Sequence, residues 1–164
     1  MSDQIRLGIF WLTLVALLLF AGRSIVQTER AIADGETVFV ELAPVDPRSL
    51  IQGDYMTLGY DIPGSFELGD RGQLVIEINV DKTATFLREA REGEVLPAGE
   101  RLINYQRQGG RQVIIGTDAF FFEEGTAELY ADARYGEFRL AENGTPILVG
   151  LRDDKLNRLG VGLE

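Results

Sequence analysis

The chain contains 164 residues, of which 45% are hydrophobic and 26% are charged, a composition typical of a folded globular protein of about one domain. It contains no His and no Cys, which excludes Ser-His-Asp and Cys-His catalysis, disulfides, and zinc sites built on His or Cys. The net charge is −10, from 26 Asp and Glu against 16 Lys and Arg, so nucleic acid is not an expected partner.

An uncharged apolar run occupies residues 7–22, between Arg6 and Arg23. As a helix it spans roughly 24 Å, and the apolar residues 25–26 bring it close to the ~30 Å hydrocarbon core of a bilayer. We interpret residues 7–26 as a transmembrane anchor.

A secretory signal peptide is the alternative interpretation of this segment. Its apolar region is usually only about 7 to 15 residues long, and small residues at the cleavage site follow closely. Here the Ala-x-Ala sequence at 31–33 lies about ten residues beyond the apolar run, with three charged residues between. We therefore favour an uncleaved, single-pass anchor.

The flanking charges do not decide orientation, because Arg6 precedes the anchor while Arg23 and Arg30 follow it. A short polar tail before a first apolar segment commonly stays in the cytoplasm. This places the acidic C-terminal domain outside the cytoplasm, in the periplasm of a Gram-negative cell, with the anchor in the inner membrane.

From residue 36 the hydrophobic period changes from 3.6 to 2, which predicts strands separated by Gly, Pro, Asn and Asp turns. The predicted strands are 37–42, 55–60, 73–80, 85–88, 101–107, 112–116, 136–140 and 147–151. A short helix is predicted over 126–133, with Thr126 as its N-cap, and Asn143-Gly144 predicts a hairpin turn.

The fold class is therefore mainly β: an N-terminal transmembrane helix followed by an antiparallel β-sandwich or partly open β-barrel with one short helix. We divide the chain into a tail, an anchor, a helical stalk that ends at Gly35, and a β-rich domain. Their boundaries are 1–6, 7–26, 27–35 and 36–164.

Segment 44–60 contains a dense cluster of Pro, Gly, Asp and Tyr residues. Asp46 before Pro47 predicts an N-cap and one helical turn over 47–50, which Gly53 ends. In the strand that follows, alternation predicts that Asp54, Met56, Leu58 and Tyr60 share one face while Tyr55 and Thr57 share the other.

Two interpretations of this segment remain open. In the first it is structural, with Asp54 fixing the turn through backbone amides or Arg48 and the tyrosines filling the core. In the second it forms a ligand or partner site.

The sequence Gly53-Asp54-Tyr55-x-x-Leu58-x-Tyr60 resembles the signature of the bacterial GDYXXLXY family. Four further segments are similar to that family's pattern, namely 44–50, 120–125, 133–137 and 148–152, so the resemblance spans about residues 38–152. It implies a membrane-anchored bacterial protein, often encoded beside polytopic membrane proteins, and it implies no particular reaction.

The run Phe120-Phe121-Phe122 cannot turn all three rings to one face of a strand, so at least one ring is expected to be exposed or docked on a partner. We predict a non-catalytic accessory or interaction subunit of a polytopic membrane protein, without cofactor or metal. The expected partner-binding or structural residues are Asp46, Pro47, Arg48, Gly53, Asp54, Tyr55, Leu58, Tyr60, Phe120, Phe121 and Phe122.

The competing hypotheses use the carboxylates Asp46, Asp54 and Asp61, which lie close together in the sequence. Two of them could serve a membrane-proximal hydrolase as general acid and base if their environments separate their pKa values. The same oxygens suit Ca²⁺ as hard ligands, although the EF-hand spacing is missing.

Overall fold

The computed structural model describes residues 3–43, 51–52, 55–64, 66, 68–91, 93–109 and 112–160. The helical turn predicted over 47–50 lies outside these residues. Within them the chain forms one long helix, eleven strands and one short 3-10 helix.

Helix α1 extends over Asp3–Asp34. Its segment Leu7–Val26 is long and apolar enough to cross a membrane by length and composition, as a membrane anchor or a signal sequence would be, and none of it is buried in the rest of the chain. Inside this segment the Thr13 hydroxyl donates a 2.9 Å hydrogen bond to the Ile9 carbonyl, which pairs a polar group that hydrocarbon could not solvate. The predicted helix end is confirmed, because only Gly35 separates α1 from the first strand.

The strands pair in three antiparallel sheets that form half-barrels, so the mainly β fold class is confirmed. The strands are β1 Glu36–Glu41, β2 Ile51–Gln52, β3 Tyr55–Thr57, β4 Arg71–Ile78, β5 Ala84–Glu89, β6 Glu100–Gln108, β7 Gln112–Ile114, β8 Ala119–Phe121, β9 Tyr135–Leu140, β10 Pro146–Arg152 and β11 Arg158–Leu159. The sheet orders are β1-β9-β10-β11, β2-β3-β8 and β5-β4-β6-β7.

Each of the eight predicted strands overlaps an observed one. The strand predicted over 55–60 is shorter than expected, because regular pairing ends at Thr57 and Tyr60 then forms an isolated bridge with Leu42. Strands β2, β8 and β11 were not predicted, since two or three residues are too few to establish a period of 2.

The helix predicted over 126–133 is reduced to one 3-10 turn, Ala127–Tyr130. Thr126 does not cap it with its side chain; its hydroxyl donates a 2.6 Å hydrogen bond to the Glu123 carbonyl. A Ser or Thr hydroxyl that bonds a preceding carbonyl favours a turn over a helix start, which accounts for the difference.

One buried core lies between the sheets and joins them. The Asn143-Gly144 hairpin between β9 and β10 is confirmed, and it docks on β6, where Asn104 N donates a 2.8 Å hydrogen bond to the Gly144 carbonyl. Gly144 has a positive φ of 81°, and a Cβ there would lie 3.1 Å from the Leu102 carbonyl, so glycine is required at this junction. The core includes Val38, Val40, Met56, Leu58, Leu74, Ile76, Ile103, Phe138, Leu140 and Leu151.

Candidate functional site

The predicted site residues that the structure describes lie on strands β3 and β8 or within three residues after them. These strands are antiparallel neighbours, and Tyr55 lies directly opposite Phe121. On the other side of β3, Gln52 of β2 lies opposite Tyr55, so β2 and β3 pair on either side of positions 53 and 54. The described members are Tyr55, Leu58, Tyr60, Phe120, Phe121 and Phe122, whereas Asp46, Pro47, Arg48, Gly53 and Asp54 lie outside the described residues.

One face of the motif segment turns into the core, as the alternation predicts. Met56 and Leu58 are each 1% exposed, and Tyr60 is buried beside them. Both backbone groups of Leu58 are paired, because its N–H donates to the Asp118 carbonyl at 2.7 Å and its carbonyl accepts from Gln112 Nε2 at 3.1 Å. Leu58 is therefore a structural residue that ties the motif to the segment before β8.

Tyr60 is held by its ring and by its hydroxyl. The hydroxyl donates a 2.6 Å hydrogen bond to the Thr117 carbonyl, and the ring centroid lies 6.1 Å from that of Phe138. Burial, and secondarily the negative charge of Asp118, raises the pKa of Tyr60 far above its ordinary value. The phenol is thus a neutral donor that satisfies a carbonyl at the core boundary, which is a structural role.

Phe120 and Phe122 attach the 3-10 helix to β8. Both rings lie 5.2 Å from the ring of Tyr130, one edge-on and one stacked, and Tyr130 is only 4% exposed. These two phenylalanines share one face of the chain, as the period of 2 requires.

Phe121 turns the other way and is 74% exposed. Its ring centroid lies 5.8 Å from that of Tyr55, with the ring planes tilted by 41°. Thr57 lies opposite Ala119 on the same two strands, so these four residues form a surface that we call the β3–β8 outer face. The prediction that at least one ring of the Phe120–Phe122 run is exposed is confirmed.

The family of the chain follows from its match to a family model. The sequence model of the family described as GDYXXLXY protein matches residues 17–151, most of the chain. The chain belongs to the GDYXXLXY family. The match starts inside α1, earlier than the resemblance over residues 38–152 indicated. Comparisons with curated proteins and with solved structures gave no match.

The GDYXXLXY domain contains a second cluster, which the sequence did not reveal. Glu137 on β9 is 6% exposed, and its Oε2 accepts a 3.0 Å hydrogen bond from Nε of Arg152 on β10. Nε of Arg158 lies 3.9 Å from the same oxygen, and the Arg152 guanidinium carbon lies 4.8 Å from the centroid of the Phe39 ring. The segments 133–137 and 148–152, noted for their similarity to the family pattern, meet at this cluster.

The sequence gave little indication that Glu137 is buried, because an acid that alternates with Gly136 and Phe138 on a strand normally faces solvent. The structure buries Glu137 under side chains from the neighbouring strands. Phe39 of β1 and Gly150 of β10 lie directly opposite Glu137, one on each side of β9. Gly150 has no side chain there, and a Cβ on it would lie 3.3 Å from Arg158 Nε. Glu137 and Arg152 are paired with each other, so the cluster has a structural role and is not an open binding site.

The carboxylates considered for catalysis or calcium binding are not assembled in the described part of the chain. Asp61 is exposed and is connected to β1 through its backbone N–H, which donates to the Glu41 carbonyl at 3.1 Å. Among the residues that the structure describes, no group of three acids could hold a metal ion. Asp46 and Asp54 lie outside those residues.

Proposed function

We propose that this GDYXXLXY protein is a single-pass accessory subunit of the bacterial inner membrane, which displays its β-rich domain outside the cytoplasm and docks it on a polytopic membrane protein. The observation that carries the proposal is the direction of Tyr55. Unlike Leu58 and Tyr60, this residue of the family motif points away from the core, and it forms a pair with the exposed ring of Phe121. An exposed phenylalanine that packs on a half-buried tyrosine outside the core contributes little to the core and is typical of a contact surface.

The anchor supports this role because it would hold the β-rich domain close to the membrane surface. Helix α1 continues for eight residues beyond Val26, a rise of about 12 Å, before Gly35 leads into β1. We assign residues 1–6 to the cytoplasmic tail, 7–26 to the membrane span, 27–35 to a stalk and 36–164 to the displayed domain. The strong negative charge of the chain disfavours adsorption on anionic lipid head groups and keeps the domain free to meet a protein.

The test is purification of full-length tagged protein from its native membrane in a mild detergent, with co-purifying proteins identified by mass spectrometry. We expect a multi-spanning protein in fixed stoichiometry that is lost from Tyr55→Ala and Phe121→Ala. Val95→Ala is the matched control, since Val95 is also exposed and apolar but lies between β5 and β6. Thermal melts establish that each variant is folded.

Recovery of the unaltered protein alone in several detergents would overturn the accessory role. Retention of the partner by both aromatic variants would overturn the assignment of the surface. If the control variant loses the partner as well, the contact is not specific to the β3–β8 outer face, and the assignment of that face is wrong.

A further inference from the structure

The β8 residues of the β3–β8 outer face belong to a strongly acidic segment of the chain. Segment 117–133, which contains β8 and the 3-10 helix, has no Lys or Arg. All of its carboxylates are exposed, and no ion pair joins them to another residue that the structure describes. They are Asp118, Glu123, Glu124, Glu128 and Asp132.

Three of these carboxylates lie within three residues of Phe121 in the chain. Asp118, Glu123 and Glu124 flank β8 directly. The 3-10 helix, which carries Glu128, packs through Tyr130 against Phe120 and Phe122, on the face of β8 opposite to Phe121. An exposed ring flanked in the chain by exposed carboxylates presents both components that an arginine or lysine side chain binds, an aromatic face and an anion.

We propose that the β3–β8 outer face binds a cationic segment of the partner, whose arginine or lysine side chains lie against the Phe121 and Tyr55 rings and pair with carboxylates of segment 117–133. This rests on the proposed function and adds the chemistry of the partner. Two other occupants are disfavoured by charge. A second copy of this chain would bring two acidic surfaces together, and an anionic lipid surface would be repelled.

Recognition takes place through side chains rather than through addition of a strand. The edge of β8 that faces away from β3 is blocked at Ala119, whose N–H donates to Thr117 Oγ1 at 3.2 Å and whose carbonyl accepts from the same hydroxyl at 2.9 Å. Farther along, the Glu123 carbonyl accepts from both the N–H and the hydroxyl of Thr126. An incoming strand would find the backbone groups of Ala119 and the Glu123 carbonyl already paired.

The test uses full-length protein in a nonionic detergent and a fluorescent peptide of alternating Arg and Ala, with a Gln-for-Arg peptide as the neutral comparison. We expect the Arg peptide to bind and the Gln peptide not to bind. Phe121→Ala should weaken binding about tenfold, because it removes the aromatic surface under the cation. The triple variant Glu123→Gln, Glu124→Gln, Glu128→Gln should also weaken it about tenfold and reduce its dependence on salt.

A basic peptide is attracted to any acidic protein, so the control removes the same charge elsewhere. Glu77→Gln, Glu142→Gln, Asp154→Asn changes three exposed carboxylates outside segment 117–133. We expect less than a twofold effect from this control. Equal losses from the two triple variants, or binding unaffected by Phe121→Ala, would overturn the proposal.

The same variants in the native-membrane purification separate this proposal from the proposed function. A partner that is lost with Phe121→Ala but retained with the Glu123, Glu124 and Glu128 triple variant leaves the docking surface in place and overturns the cationic partner. A partner retained with Phe121→Ala overturns the surface itself. If Phe121→Ala instead converts a dimer of this chain to a monomer in sedimentation, the occupant is a second copy and the proposal is wrong.

Discussion

Glu137 and Arg152 form a buried ion pair between adjacent strands, with Nε of Arg152 3.0 Å from Oε2 of Glu137. The register places Glu137 opposite Gly150, and Arg158 lies over the space that Gly150 leaves, with its Nε 3.9 Å from the same carboxylate oxygen. Arg152 also donates to the Leu156 carbonyl, so the guanidinium links β9, β10 and the turn before β11. The cluster joins parts of the sheet that are distant in the sequence.

Removal of the buried Glu137 carboxylate should therefore destabilise the folded protein strongly. We expect Glu137→Gln to lower the free energy of unfolding by about 3 kcal/mol, because the Arg152 guanidinium loses its counter-charge while partly buried. Urea unfolding of the full-length protein in detergent, followed by circular dichroism, measures the change. Glu142→Gln, an exposed acid in the β9–β10 turn, is the control and should change stability by less than about 0.5 kcal/mol. A loss below 1 kcal/mol for Glu137→Gln, on the order of a single surface substitution, would contradict this account.

The family motif should separate into a part that stabilises the core and a part that lies outside it. We expect Leu58→Ala to cost about 3 kcal/mol of stability, because Leu58 is fully enclosed in the core. Tyr55→Ala should cost less than about 1 kcal/mol, since its ring contact is with an exposed phenylalanine. Thermal unfolding of both variants beside unaltered protein gives the comparison. Equal destabilisation would mean that Tyr55 is a core residue and not a contact residue.

Tyrosine ionisation should limit stability in alkaline solution. Burial, followed by a 2.6 Å hydrogen bond to Glu89, raises the pKa of Tyr105 from 10.0 to about 12. A raised folded-state pKa means that the stabilisation is fully present below pH 10 and is lost as the pH rises toward 12. The raised pKa of Tyr60 acts in the same direction.

Tyr105→Phe isolates this effect, because it retains the ring and removes the ionising hydroxyl. We expect the free energy of unfolding of this variant to fall less steeply above pH 10 than that of the unaltered protein, when both are measured by urea unfolding across the pH range. Identical slopes would show that Tyr105 does not contribute to the alkaline loss.

Much of the fold could be predicted because local patterns and long-range structure agree. The apolar run of α1, the period of 2 from residue 36 and the Asn143-Gly144 turn each depend on neighbours in sequence, and each is observed. Alternation also separated Leu58 and Tyr60 from Tyr55. What could not be predicted depends on strand pairing, which a single sequence does not specify.

Two features illustrate this limit. The contact of Tyr55 with Phe121 joins residues 66 positions apart through the pairing of β3 and β8, and β8 is too short to recognise by periodicity. Glu137 resembles an ordinary surface acid until β1 and β10 bring Phe39 and Arg152 over it. The sequence predicted the aromatic residues of the candidate site, but not the surface that they form.

The anchor gives the last prediction. The Ala-x-Ala sequence at 31–33 lies in the last turn of the continuous helix α1, just before Asp34 and Gly35. We therefore expect the chain to remain uncleaved there. The intact mass of purified protein should include residues 1–33, and the protein should stay with the membrane in alkaline carbonate. Protease added to intact spheroplasts should degrade the displayed domain, whereas a cytoplasmic control protein survives. A shortened, soluble product would identify the segment as a signal sequence, and protection of the domain until the cells are lysed would place it in the cytoplasm.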